Sequence, residues 1–186
     1  MYAEGGIVDL ERLALSSGQA RALDLAVGLD PIELGGQSYE PAGDDARVLR
    51  AKRGATRLVQ ARLDVSRTST GYALRLRLTG ELTGPCVRCL ESAAIEIEID
   101  AREVDQPASN DEELRSPYVS DGKLDVGRWA NDALVLAFPS QPLCRADCAG
   151  LCPVCGESLN DADPDAHRHD RGGDPRMAKL KDLRLE

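Results

Sequence analysis

The chain has 186 residues, a net charge of -9 and 3% aromatic against 42% apolar residues, enough for one domain whose core must be aliphatic. Few aromatics leave few platforms on which single-stranded bases could stack. No apolar run approaches the roughly 20 residues of a membrane span, and Glu4, Asp9 and Glu11 break the N-terminal stretch that a secretory signal would need. A cytoplasmic protein is therefore expected, and in that compartment six closely paired cysteines read as metal ligands or redox groups and not as a disulfide framework.

In chain order, Leu23, Leu25 and Val27 alternate with Asp24 and Ala26, which predicts a strand, and Ile32 to Leu34 a short second one. Gly35-Gly36 and Gly43-Asp44-Asp45 read as loops. Leu58 to Val65 predicts a further strand, and Ser66 to Gly71 has the composition of a turn into the next, so a hairpin is expected. In that next strand Tyr72, Leu74, Leu76, Leu78 and Leu82 share one face, while Arg75, Arg77, Thr79 and Glu81 share the other. Ile95, Ile97 and Ile99 alternate with Glu96, Glu98 and Asp100 in a partner strand. Arg75 and Arg77 would then face Glu96 and Glu98 if the two are antiparallel neighbours.

Residues 91–125 hold eleven acidic side chains against three basic ones, a local charge of -8. Such a stretch repels phosphates and suits a basic partner such as a ribosomal protein, or simply forms a solvated face. Residues 105–123, with Pro107, Ser109, Asn110 and Pro117, read as a flexible acidic loop. Asp125 then caps a predicted helix in which Val126, Trp129, Ala130, Ala133, Leu134 and Ala137 recur at helical spacing until Pro139. A polar tail over 161–186 follows the cysteine-rich stretch, with a short helix expected from Asp174 through Met177, Leu180 and Leu183.

The cysteines fall as Cys86 and Cys89, between two long strands, then Cys144, Cys148, Cys152 and Cys155. A CxxC turn sets two thiolates on one side of a tetrahedral ion and frees backbone N–H groups to bond the sulfurs. Six candidates for four positions leave the ligand set open. Cys144, Cys148, Cys152 and Cys155 could form a self-contained zinc module over 141–160. Alternatively Cys86 and Cys89 could join two of the later four and clamp the strand connection to the segment after the helix. A redox CxxC would be expected at a helix start after a strand, and no HExxH or HxE accompanies the cysteines as catalytic zinc requires. His167 and His169, in a tail rich in Asp and Arg, read as solvated. No phosphate loop or GxSxG is present.

The run Gly84 to Glu91 around Cys86-Val87-Arg88-Cys89, the helix ending Ala133-Leu134-Val135-Leu136-Ala137-Phe138-Pro139, and Pro142 to Gly156 through Cys144, Cys148, Cys152 and Cys155 together resemble the YceD family of bacteria and plastids. The ending from Asp174 to Leu180 is similar to that family too. The resemblance implies a part in accumulation or processing of 23S rRNA of the large ribosomal subunit, with no known catalytic activity, and a genomic setting beside a small zinc-bearing large-subunit protein.

The fold expected is α+β. An antiparallel β-sheet or meander with one or two helices would occupy residues 1–140, with a C-terminal cysteine-rich zinc module packed on it. The function expected is that of a non-enzymatic, zinc-stabilised factor acting on a large-subunit protein, a pre-ribosomal particle or a 23S rRNA precursor. Two alternatives differ in class: direct RNA binding through Arg47, Arg50, Lys52, Arg53 and Arg57, and an enzyme, either a CxxC thiol oxidoreductase or a nuclease.

Overall fold

The structure is a computed structural model and describes residues 6–42, 48–51, 54–163, 167 and 169. Among the described residues, ten strands precede and surround one α-helix. They are β1 (Ile7–Asp9), β2 (Ala20–Leu29), β3 (Ile32–Leu34), β4 (Gln37–Pro41), β5 (Val48–Ala51), β6 (Gly54–Arg67), β7 (Tyr72–Pro85), β8 (Ser92–Asp105), β9 (Val119–Ser120) and β10 (Lys123–Asp125), with α1 over Val126–Ala137. All the pairings are antiparallel, as the sequence pattern predicts.

The seven-stranded sheet runs β2-β6-β7-β4-β3, with β5 added on β6 and β8 on β7. One edge of β7 is shared: its first half pairs with β6 (Leu76↔Leu63), and its end pairs with β4 (Leu82↔Pro41). Along the other edge, β8 pairs with β7 from Tyr72↔Asp105 to Pro85↔Ser92. Period-2 alternation turns Leu63, Val65, Leu74, Leu76, Leu78, Leu82, Ile95, Ile97 and Ile99 into one buried face. Each such side chain contributes about 1.5–3 kcal/mol on burial.

The register changes which charges meet. Arg75 stands opposite Arg102, and Glu96 opposite Glu81. Arg75 therefore reaches diagonally to Asp100 (2.6 Å), and Arg77 reaches Asp64 on β6. The expected pairing with Glu96 and Glu98 does not form, because the loop over 86–91 sets Pro85 opposite Ser92 and places those two acids nearer the loop.

Residues 105–123 are not a plain acidic loop. The Gln106 N–H donates to the Leu114 carbonyl (2.7 Å), Arg115 donates to the Ser109 carbonyl (2.6 Å), and the segment ends in β9 and β10, which form a second small sheet with β1. Short polar residues that looked loop-like satisfy one another's backbone groups here. Helix α1 starts at Asp125, whose carboxylate accepts the Arg128 N–H (2.9 Å). Val126, Trp129, Ala130, Ala133 and Leu134 are buried, and Ala137 is exposed, so the apolar stripe ends one turn earlier than its spacing predicts. Asn131 ties the helix to the end of β2, donating to the Gly28 carbonyl and accepting from the Asp30 N–H. The short helix expected from Asp174 lies outside the described residues, as do Arg47, Lys52 and Arg53 of the basic cluster; Arg50 lies in β5 and Arg57 in β6.

Candidate metal centre

The β7–β8 connection is a knuckle. Its backbone closes tightly: the Cys86 N–H donates to the Glu91 carbonyl (2.7 Å), and the Leu90 N–H donates to the Cys86 carbonyl (2.9 Å). Leu90 takes φ +63°, the left-handed conformation the turn demands. The Arg88 N–H then points at the Cys86 sulfur (3.4 Å).

After Phe138 the chain returns over this knuckle. The Val87 N–H donates to the Pro142 carbonyl (3.0 Å), and the Arg88 guanidinium donates to the Cys148 carbonyl (2.9 Å). These contacts bring Cys144 and Cys148 onto the first CxxC. Cys86 and Cys148 sulfurs are 3.7 Å apart, Cys89 and Cys144 sulfurs 3.5 Å, and all four lie within 4.8 Å of one another. Zinc–sulfur bonds of about 2.3 Å at tetrahedral angles separate sulfurs by roughly 3.8 Å. The four residues fit such an ion, and they supply all four positions, leaving none open for a substrate or water.

Three of these cysteines are buried and Cys144 is partly so. Burial raises the Cys86 thiol, but the backbone N–H groups of Cys89 and Arg88 outweigh it and bring the value down to about 6. Burial, together with the sulfurs of Cys89, Cys148 and Cys86, pushes Cys144 up to about 12, and Cys89 is also raised, chiefly by burial. Four thiolates this close repel one another, and a divalent cation held among them would supply the charge that offsets that repulsion.

Tyr39 supports the knuckle from below, and nothing in the sequence pointed to it. Its fully buried hydroxyl donates to the Pro85 carbonyl (2.8 Å), its ring lies 4.9 Å from that of Phe138, and a Cβ at Gly84 would stand 2.4 Å from the ring. Gly84 is thus the clearance that lets the aromatic ring sit against β7.

The other two cysteines are elsewhere. Cys152 and Cys155 gather with His167 and His169, their ligand atoms also within 4.8 Å of one another. Backbone N–H groups of Cys155, then the His167 ring and the Val154 N–H, bring the Cys152 thiol down to about 6. Two readings of the sequence meet the geometry here. Of the two ligand sets left open, the arrangement groups Cys86 and Cys89 with Cys144 and Cys148 and not Cys144 and Cys148 with Cys152 and Cys155, because the Arg88 and Val87 contacts draw Cys144 and Cys148 to the sheet. The histidines are not simply solvated: His167 is only partly exposed and its Nε2 lies 3.6 Å from the Cys155 sulfur. Their HxH spacing was the signal available.

Comparison with known proteins agrees with the resemblance drawn from the motifs. Uncharacterised proteins of Mycobacterium tuberculosis and Mycobacterium bovis are each 31% identical over 159 residues, covering 81% of this chain and 73% of theirs. One from Mycobacterium leprae is 36% identical over 115 residues, covering 57% and 52%. No solved structure matches the chain. The model of the family described as large ribosomal RNA subunit accumulation protein YceD matches residues 74–184, a span that holds both knuckles and all six cysteines. The chain belongs to the YceD family.

Proposed function

We propose that this chain is a non-catalytic, zinc-stabilised cytoplasmic factor supporting accumulation and processing of 23S rRNA during assembly of the large ribosomal subunit. The family match over residues 74–184 carries this reading. The four-sulfur cluster supports the non-catalytic part, since a closed tetrahedral set holds structure and offers no reacting position. Its ion would join β7 and β8 to the chain after α1, across separations of 55 and 62 residues.

The partner is a basic large-subunit protein or the particle carrying it. Strand β8 pairs only with β7 among the described residues and presents Glu96 and Glu98 exposed. The arginines of the neighbouring strands do not form a bare positive face, because Arg62, Arg75 and Arg77 are matched by Asp24, Asp100 and Asp64. Such an acidic edge steers a basic partner and repels phosphates.

The test combines depletion with affinity purification. Depleting the protein is expected to lower mature 23S rRNA and accumulate its precursor, and tagged full-length protein is expected to co-purify with large-subunit components. Glu96→Lys with Glu98→Lys should weaken that association. Unchanged 23S rRNA on depletion would overturn the ribosomal role. Association lost on neutralising the basic cluster at 47–57, but not on reversing β8, would move the contact to RNA.

A further inference from the structure

The second CxxC repeats the first in its backbone, bond for bond. The Val154 N–H points at the Cys152 sulfur at 3.4 Å, as Arg88 does at Cys86. The Gly156 N–H donates to the Cys152 carbonyl (2.8 Å), as Leu90 does to Cys86, and both closing residues have positive φ, +77° and +63°. The Cys152 N–H donates to the Glu157 carbonyl (2.8 Å), as Cys86 does to Glu91. Even the flanking pairing recurs, Leu151↔Ser158 matching Pro85↔Ser92. The Ser158 hydroxyl donates to Glu91 (3.3 Å), so the two knuckles sit side by side.

We propose that Cys152, Cys155, His167 and His169 form a second zinc site, separate from the four-cysteine cluster, so that the chain carries two ions. The distances carry this. Zinc–nitrogen bonds of about 2.0–2.1 Å beside zinc–sulfur bonds of about 2.3 Å give tetrahedral edges of roughly 3.6 Å for S–N and roughly 3.3 Å for N–N. The Cys155 sulfur lies 3.6 Å from His167 Nε2, and the two Nε2 atoms are 3.2 Å apart. The two rings stand edge to face with centroids 4.8 Å apart, which lets both nitrogens turn to one point.

An orienting group is also in place. The Glu157 carboxylate lies 3.3 Å from His167 Nδ1, the outer nitrogen, which leaves Nε2 free to ligate. Metal-bound histidines regularly hand their second N–H to a carboxylate in this way. Glu157 is the residue that follows Gly156, so the knuckle supplies two ligands and the group that aims a third. Two thiolates with two imidazoles suit zinc over harder cations.

The site differs from the first in reach. It joins Cys155 to His167 across 12 residues and touches no strand of the main sheet through its ligands. Its ion pins the chain after the knuckle and is not needed to close the core. This inference does not rest on the ribosomal role.

Elemental analysis of the full chain, purified reduced from zinc-supplemented cells, tests it. About two zinc ions per chain are expected. His167→Gln with His169→Gln should bring this to about one while the far-ultraviolet spectrum and the Trp129 emission stay unchanged. Cobalt substitution gives an independent readout: the ion lost in that variant should show the d–d bands of a mixed sulfur–nitrogen site, and the retained ion those of a four-sulfur site. Two ions remaining in the histidine variant, or one ion in the wild type that the histidine variant keeps and Cys89→Ser loses, would overturn the second site. The latter outcome leaves the four-cysteine reading intact.

Discussion

The two knuckles share one backbone and differ in what completes them. At Cys86 and Cys89 the missing pair comes from Cys144 and Cys148, the cluster is mostly buried, and Tyr39, Phe138 and Arg88 pack around it. At Cys152 and Cys155 the completing pair is His167 and His169; in this set Cys155 and His169 are exposed, His167 is partly covered and Cys152 is buried. The same local turn therefore does two jobs, since the stabilisation a crosslink brings depends on how much chain it constrains. The first closes long loops through the sheet; the second ties a short segment to its own start.

Cys89→Ser against Cys155→Ser is the sharpest way to break that comparison. Losing the first ion is expected to cost roughly 4–5 kcal/mol or more in chemical unfolding, the range reserved for lost metals and broken networks. The single tryptophan, Trp129 on the buried face of α1, reports it. Cys155→Ser should leave that transition within about 1 kcal/mol of wild type and instead raise hydrogen exchange over residues 156–163. Equal unfolding costs at the two sites would erase the distinction.

Gly84→Ala comes next. The added Cβ meets the Tyr39 ring at 2.4 Å, which is rigid and fully buried, so about 1–3 kcal/mol of destabilisation is expected in the same unfolding assay. A neutral result would mean that Tyr39 does not brace the first knuckle.

The closing residues offer a smaller, opposite-signed pair. Leu90 holds φ +63° with its side chain 61% exposed, so Leu90→Gly removes backbone strain while giving up little packing. It should raise stability by about 0.5–1 kcal/mol, and Gly156→Ala at φ +77° should weaken the second knuckle by about 1 kcal/mol. The first is read by unfolding, the second by zinc competition with a chelator.

The smallest effect lies away from both. Burial raises Asp105 above the usual carboxylate range, with the Ser116 N–H opposing it, so the folded chain holds this proton more tightly than the unfolded one. Its contribution therefore favours folding in acid and is lost as pH rises from the ordinary aspartate value through the raised one. Asp105→Asn should flatten that slope in unfolding measured against pH. An unchanged slope would assign it to other groups.

Much of the sheet was legible because its signal is local. Strict alternation in Leu74, Leu76 and Leu78 and in Ile95, Ile97 and Ile99 marks a half-buried strand wherever it occurs. Asp125 before Val126 announced the helix in the same way. Strand β1 was not legible, since Ile7–Asp9 is short and gains its identity only by pairing with Lys123–Asp125, far along the chain. Strand β4 likewise depends on the end of β7 being free of β6. The ion pairs needed the register as well as the pattern, which is why Asp100 and not Glu96 receives Arg75.

By itself, the sequence determined that there are two CxxC knuckles and that each can present two sulfurs, because that geometry lies within four or five residues. Which second pair each knuckle receives was decided only by the tertiary structure. Cys144 and Cys148 follow α1 back to the sheet through contacts with Val87 and Arg88, and so are lost to Cys152 and Cys155. Spacing along the chain left the local set of four and the set through Cys86 and Cys89 equally open, and the packing of the helix return over the β7–β8 turn groups Cys144 and Cys148 with the first pair.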